Sequence, residues 1–124
     1  MFSNSEITIL LVEDDSSVRE VIARTLVRCG YSVHECSSGE QAIDFVRQHA
    51  GPIDLLLVDT VLGGISGLET AEQVLEMRPS LPVVHMSGYS RASIFGEHRQ
   101  AAVAGHDFIA KPFHRQELDR KSVV

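Results

Sequence analysis

Ile53-Asp54-Leu55-Leu56-Leu57-Val58, followed at once by Asp59, is the most hydrophobic stretch of the chain. From Leu55 to Val58 the apolar residues do not alternate with polar ones, so a strand here must be covered on both faces. That is the situation of a central strand in a parallel sheet. Working outward, a second branched-apolar run, Ile7 to Val12, precedes it and ends in Glu13-Asp14-Asp15. Between the two runs the period changes. Ser16 or Ser17 is placed to cap a helix whose Val18, Val21, Ile22, Thr25 and Leu26 share one face, and Gly30 supplies its stop. Tyr31 to Cys36 alternates weakly and reads as a strand. Ser37-Ser38-Gly39-Glu40 then has the Ser-x-x-Glu spacing of a capping box, opening a helix that runs to about His49.

Beyond Asp59, Gly63-Gly64 and Gly67 predict a flexible loop. A helix follows with Leu68, Ala71, Val74 and Leu75 inward, ending before Pro79. Pro82 to Met86 reads as a fourth strand, Ser90 to about Ala104 as a less hydrophobic helix, and Asp107 to Ala110 as a fifth strand closed by Lys111-Pro112. His114 to Val124 is long enough only for a short last helix. Strand-length and helix-length segments thus alternate five times with no linker or repeat, which predicts an α/β domain.

The chain has 124 residues, enough for one ordinary domain and too few for two. Seventeen acidic against eleven basic residues give a net charge of -6, the opposite of the footprint that binding to a phosphate backbone requires. Direct nucleic-acid binding is therefore not expected. Apolar runs such as Leu55 to Val58 fall far short of the roughly 20 residues of a membrane span. Met1 to Glu6 is polar with an early acid and no basic region, so no secretory signal and no membrane insertion are expected, and the default location is cytoplasmic. Cys29 and Cys36 match no metal spacing and are expected to pack as small hydrophobes without a disulfide. The six histidines show no metal spacing either.

In doubly wound sheets, ligands bind outside the carboxyl ends of the strands. Strand one ends in Glu13-Asp14-Asp15, strand three in Asp59, strand four in Ser87-Gly88 and strand five in Lys111-Pro112. If strands one and three are neighbours, Glu13, Asp14 and Asp59 lie close together, and like charges at that range resist joint ionisation. A cation resolves the conflict, and an all-oxygen ligand set suits Mg²⁺. The plainer reading is that acids after strands cap the next helix, which Asp14 or Asp15 can do. Lys111 at the same edge offers a point charge for Asp59 or a bound phosphoryl oxygen, though most lysines are surface residues. Ser87 offers a hydroxyl, though serines after strands are often plain turn residues.

Ile9-Leu10-Leu11-Val12-Glu13-Asp14-Asp15, Asp54-Leu55-Leu56-Leu57-Val58-Asp59, Met86-Ser87-Gly88-Tyr89 and Phe108-Ile109-Ala110-Lys111-Pro112-Phe113 stand in the order and spacing of a known family. Over essentially its whole length the chain resembles the receiver domains of two-component response regulators. The resemblance implies a single domain over residues 1–124 with an ordered core at about 6–120. It implies a flavodoxin-like receiver fold, a three-layer α/β/α domain around a doubly wound five-stranded parallel sheet of order 2-1-3-4-5. The sheet-edge rule used above was framed partly on this family, so the agreement is not independent. By resemblance Asp59 is the phosphoacceptor, taking a phosphoryl group from a phosphohistidine on a sensor histidine kinase or histidine phosphotransferase. Asp14 and Asp59 would ligate Mg²⁺ directly, Glu13 through water and Val61 by its backbone carbonyl. Lys111 and the Ser87 hydroxyl would contact the phosphoryl oxygens, with Ser87 and Phe108 as the switch pair. The face made by residues 90–104, 107–110 and 114–124 would carry the signal, and a homodimer through that face fits the pattern.

Departures are few. Glu13 replaces a commoner aspartate, and Gly63 stands where a proline is usual, which implies a more mobile loop. The Gly-Gly loop and Ser87-Gly88-Tyr89 look most like receivers attached to hybrid sensor kinases. Val61 and Tyr89 flank the acceptor and are expected to shield its phosphoryl group from water. Rival readings fare worse. Phosphatases of the haloacid dehalogenase type need a second Asp two residues after the nucleophile, where this chain has Val61. A nucleotide or flavin module needs a Gly-rich loop after strand one. The alternative that stays open is a phosphorylation-independent pseudo-receiver acting as an interaction module.

Overall fold

A computed structural model describes residues 7–87 and 107–110. Its elements alternate as β1 (Thr8–Val12), α1 (Ser16–Arg28), β2 (Ser32–Cys36), α2 (Gly39–Gln48), β3 (Leu55–Asp59), α3 (Gly67–Met77), β4 (Val83–Ser87) and β5 (Asp107–Ala110). The five strands form one parallel sheet in the order β2-β1-β3-β4-β5. The helices expected over residues 90–104 and 114–124, with Tyr89 and Lys111-Pro112, lie outside the described residues.

Every residue of β3 is buried, and the two parities of the strands explain why. Leu10 and Val12 of β1, with Leu56 and Val58 of β3, join Ala42, Ile43 and Val46 of α2 and Ala71 and Val74 of α3 in one cluster. Ile9, Leu11, Leu55 and Leu57 join Ile22, Ala23 and Leu26 of α1 in another, with Val84, Met86 and Ile109. The uninterrupted apolar runs thus feed two cores, one on each face of the sheet. Burying one Leu or Val side chain is worth about 1.5–3 kcal/mol, so these central strands dominate the fold's stability.

Several local expectations are corrected. Asp15, not Ser16 or Ser17, caps α1, accepting a hydrogen bond from the Val18 amide at 3.0 Å. Val21 is 62% exposed and Ala23 is buried in its place, because the apolar stripe of α1 runs through Ile22, Ala23 and Leu26. The capping box of α2 is shifted by one residue. Ser38 caps, accepting from the Gln41 amide at 3.1 Å, while the Gln41 side chain accepts from the Ser37 amide at 2.6 Å. Ala71 and Val74 of α3 face inward as expected and Leu75 packs against the core half-buried, while Gly67 and Thr70 join the buried face and Leu68 stays half-buried.

Gly67, expected in a flexible loop, is the first residue of α3 and is buried. A Cβ at this position would run into the Asp59 carbonyl oxygen. The Gly67 amide donates to the Thr60 carbonyl at 3.2 Å, so α3 begins directly against the backbone at the end of β3.

Candidate functional site

Val12 pairs with Val58, so the next residues of the two strands, Glu13 and Asp59, leave the sheet side by side. Oxygen atoms from Glu13, Asp14 and Asp59 lie within 4.8 Å of one another. Glu13 and Asp59 are 1% and 6% exposed, whereas Asp14 faces solvent. Two buried carboxylates at that separation, both ionised, repel by on the order of 3 kcal/mol at an effective dielectric near 20. The donor set is all oxygen, hard and net negative, which fits a cation of the Mg²⁺ class.

Each of the three carboxylates accepts a hydrogen bond from a main-chain amide. Asp15 N–H donates to Glu13 Oε2 at 3.1 Å, Val61 N–H to Asp59 Oδ1 at 3.3 Å, and Gly63 N–H to Asp14 Oδ2 at 3.2 Å. The first two are local, two residues along the chain. The third joins residues 49 apart and ties the loop after β3 to the end of β1. Val61, whose carbonyl the family resemblance made a ligand, is half-exposed in this loop.

Two further residues escaped the sequence reading. Arg19 reaches back from the first turn of α1, donating to the Glu13 carbonyl at 2.8 Å, with its Nε 3.6 Å from Glu35 of β2. The Glu13 amide meanwhile donates to the Cys36 carbonyl at 3.1 Å, so the backbone of Glu13 is held from both sides. Thr60 is fully buried and donates twice to the Met86 carbonyl, through its amide at 2.9 Å and its hydroxyl at 2.6 Å. The available signals were an arginine one turn into a helix that starts at the acids, and a threonine directly after Asp59.

Asp59 pairs with Met86, so Ser87, the last residue of β4, stands one step beyond the strand partner of Asp59. Ser87 in turn pairs with Ala110, the residue before Lys111, and Phe108 pairs with His85. Lys111 itself lies outside the described residues. Cys29 and Cys36 are not joined by a disulfide. Burial pushes the Cys36 thiol up to about 11 against the opposing pull of Arg19, which suits packing rather than reactivity.

Residues 9–122 match the family model of the response regulator receiver domain. The chain belongs to that family. It is a signalling domain of two-component systems, and its sheet order is the one the fold requires. The receiver is 30% identical over 110 residues to the response regulator receiver protein CpdR of Brucella abortus, covering 89% of this chain and 88% of that protein. It is 29% identical to the uncharacterized transcriptional regulatory protein YrkP of Bacillus subtilis, over 94% of this chain. Here it spans only 48% of the relative, and it spans 12% of the sensor kinase CckA of Brucella abortus. Among solved structures, the receiver domain of the hybrid histidine kinase CckA is 34% identical, with a TM-score of 0.72 over 91% of this chain and 93% of that one. No helix among the described residues is long and apolar enough to cross a membrane.

Proposed function

We propose that this receiver accepts a phosphoryl group on Asp59 from a phosphohistidine of a sensor histidine kinase or histidine phosphotransferase. The observation that carries the reading is the position of Asp59: buried, at the carboxyl end of the central strand, with Glu13 and Asp14 beside it. A carboxylate oxygen of Asp59 attacks phosphorus as the P–N bond breaks and its electron pair returns to the imidazole, leaving an acyl phosphate. Glu13, Asp14, Asp59 and the Val61 carbonyl are the groups that would hold Mg²⁺, which when bound offsets negative charge on the transferring group. The Val61 amide donates to one oxygen of Asp59, Oδ1, and helps orient the carboxylate at the strand end.

Lys111 and the Ser87 hydroxyl complete the reading as contacts to the phosphoryl oxygens, and Ser87 with Phe108 as the pair that reports the acceptor's state to the face of residues 90–104, 107–110 and 114–124. A homodimer through that face belongs to the same reading. The same reading takes residues 1–124 as one receiver domain with a core at about 6–120, placed in the cytoplasm, either standing alone or carried by a larger regulator such as a hybrid sensor kinase.

The deciding experiment is intact mass after incubation with acetyl phosphate and Mg²⁺, for wild type, Asp59→Asn and an EDTA control. A phosphoryl adduct in wild type that is absent from both controls is expected. No adduct from acetyl phosphate or from a phosphorylated histidine phosphotransferase would overturn the reading in favour of an interaction module that works without phosphorylation.

A further inference from the structure

We infer that the main-chain amide of Gly63 is a positioning group for the Mg²⁺ site, acting through Asp14; the inference rests on the phosphoacceptor reading above. Of the three clustered carboxylates, Glu13 and Asp59 are buried and take their amide bonds from residues two along the chain. Asp14 is the exposed member, free of packing that would fix its side chain. It is also repelled by two carboxylates whose oxygens lie within 4.8 Å. Left to itself, an exposed carboxylate in that company turns towards water. The Gly63 N–H, donating to Asp14 Oδ2 at 3.2 Å across 49 residues of sequence, opposes that turn.

The loop is built to present this amide. Gly64 next to it sits at φ 88°, a region open to glycine, and a Cβ there would come within 2.9 Å of Glu40 Oε2. Thr60 and Gly67 close the loop at its base through the Gly67 amide and the Thr60 carbonyl. Gly63 itself does not have positive φ, and a Cβ there would meet only Asp14 Oδ2, at 3.8 Å. What position 63 supplies is therefore its N–H rather than an unusual conformation, and a proline in its place has none to give. The same loop carries Val61, so the tie also joins Asp14 to the segment bearing the proposed carbonyl ligand. Asp14 arrives at the metal already gathered, and the binding step is spared the cost of ordering it.

The test removes one proton-bearing atom at a time. Semisynthetic receivers carrying an ester in place of the amide at position 63, or at position 64 as a control, are compared with wild type and Gly63→Ala in Mg²⁺ titration calorimetry. Loss of the 63 amide is expected to weaken Mg²⁺ binding about three- to tenfold, the range of one ordinary hydrogen bond at a solvent-exposed acceptor. The 64 ester and Gly63→Ala are expected within about twofold of wild type. Equal affinity for the 63 and 64 esters, or tighter binding by the 63 ester, overturns the inference and leaves the phosphoacceptor reading standing. A wild type that binds no Mg²⁺ overturns the metal site itself. Should the 63 ester fail to fold, amide hydrogen exchange decides. The Gly63 amide is expected to be protected in wild type and to lose that protection in Asp14→Ala, and equal exchange in the two overturns the tie.

Discussion

Asp54, immediately before β3, and Asp59, the last residue of that strand, are the same residue type at opposite edges of the sheet, yet they do different work. At the amino edge Asp54 forms a reciprocal clamp with Thr8. Its side chain accepts from the Thr8 amide at 2.7 Å and its own amide donates to the Thr8 carbonyl at 2.8 Å, fixing where β1 and β3 begin to pair. Around it lies an open cleft lined by Ile53, Arg78, Leu81 and Pro82, with no second carboxylate among the lining residues. At the carboxyl edge Asp59 shares its space with two more acids. Company, rather than residue type, separates a structural carboxylate from a chemical one: a lone acid is satisfied by an amide, whereas three acids at one edge call for a cation.

The sharpest way to break this comparison is exchange of function by single substitution. Asp59→Asn is expected to abolish the phosphoryl adduct and, without Mg²⁺, to raise the urea midpoint, because it removes one of three clustered carboxylate charges. Next in size, Gly67→Ala forces a methyl group against the Asp59 carbonyl. It is expected to destabilise by roughly 3 kcal/mol in urea unfolding and to slow adduct formation as well. Asp54→Ala should behave in the opposite sense to Asp59→Asn. It keeps the adduct and loses about 1–2 kcal/mol, because the Thr8 amide is left without its acceptor.

The smallest effect lies between the two edges, on β2. His34 stacks on Phe45 with centroids 3.6 Å apart, and Phe45 stacks on His49 at 4.7 Å. Burial holds the His34 imidazole below its ordinary value of 6.5, His49 pushes the same way, and Glu35 opposes. The folded state therefore disfavours the proton that the unfolded chain accepts. This contribution is fully present above pH 6.5 and is lost as pH falls through the lowered folded value. Urea midpoints at pH 7.5 and 5 should differ less in His34→Gln than in wild type. An equal difference would remove His34 from the acid response.

Much of the sheet was legible because it is written in side chains. The runs at 7–12 and 53–58 cannot be solvated on either face, and that alone makes them inner strands with acids at their exits. The cluster of Glu13, Asp14 and Asp59 followed from the same placement. What escaped was written in the main chain. No residue type announces that the amides of Asp15, Val61 and Gly63 each serve a carboxylate, or that Gly67 is empty of side chain because a carbonyl passes there. Single positions on the faces of α1 and α3 were misplaced for a related reason. Val21 and Leu68 fit an apolar stripe as well as Ala23 and Thr70 do, and only the approach of neighbouring elements decides between them. Arg19 was missed because it works from a helix turn onto a strand's backbone, a contact with no fixed spacing.

Thr60 fastens both its donors to one carbonyl, that of Met86, directly between Asp59 and Ser87 in the pairing of the two strands. Asp59 and Ser87 thus share a single datum point in the backbone, buried below the strand ends. Tolerances at the reacting centre are consequently set below the surface, and the residues that line the rim are free to diverge. The relative placement of the two strand ends therefore does not depend on the exposed side chains around them.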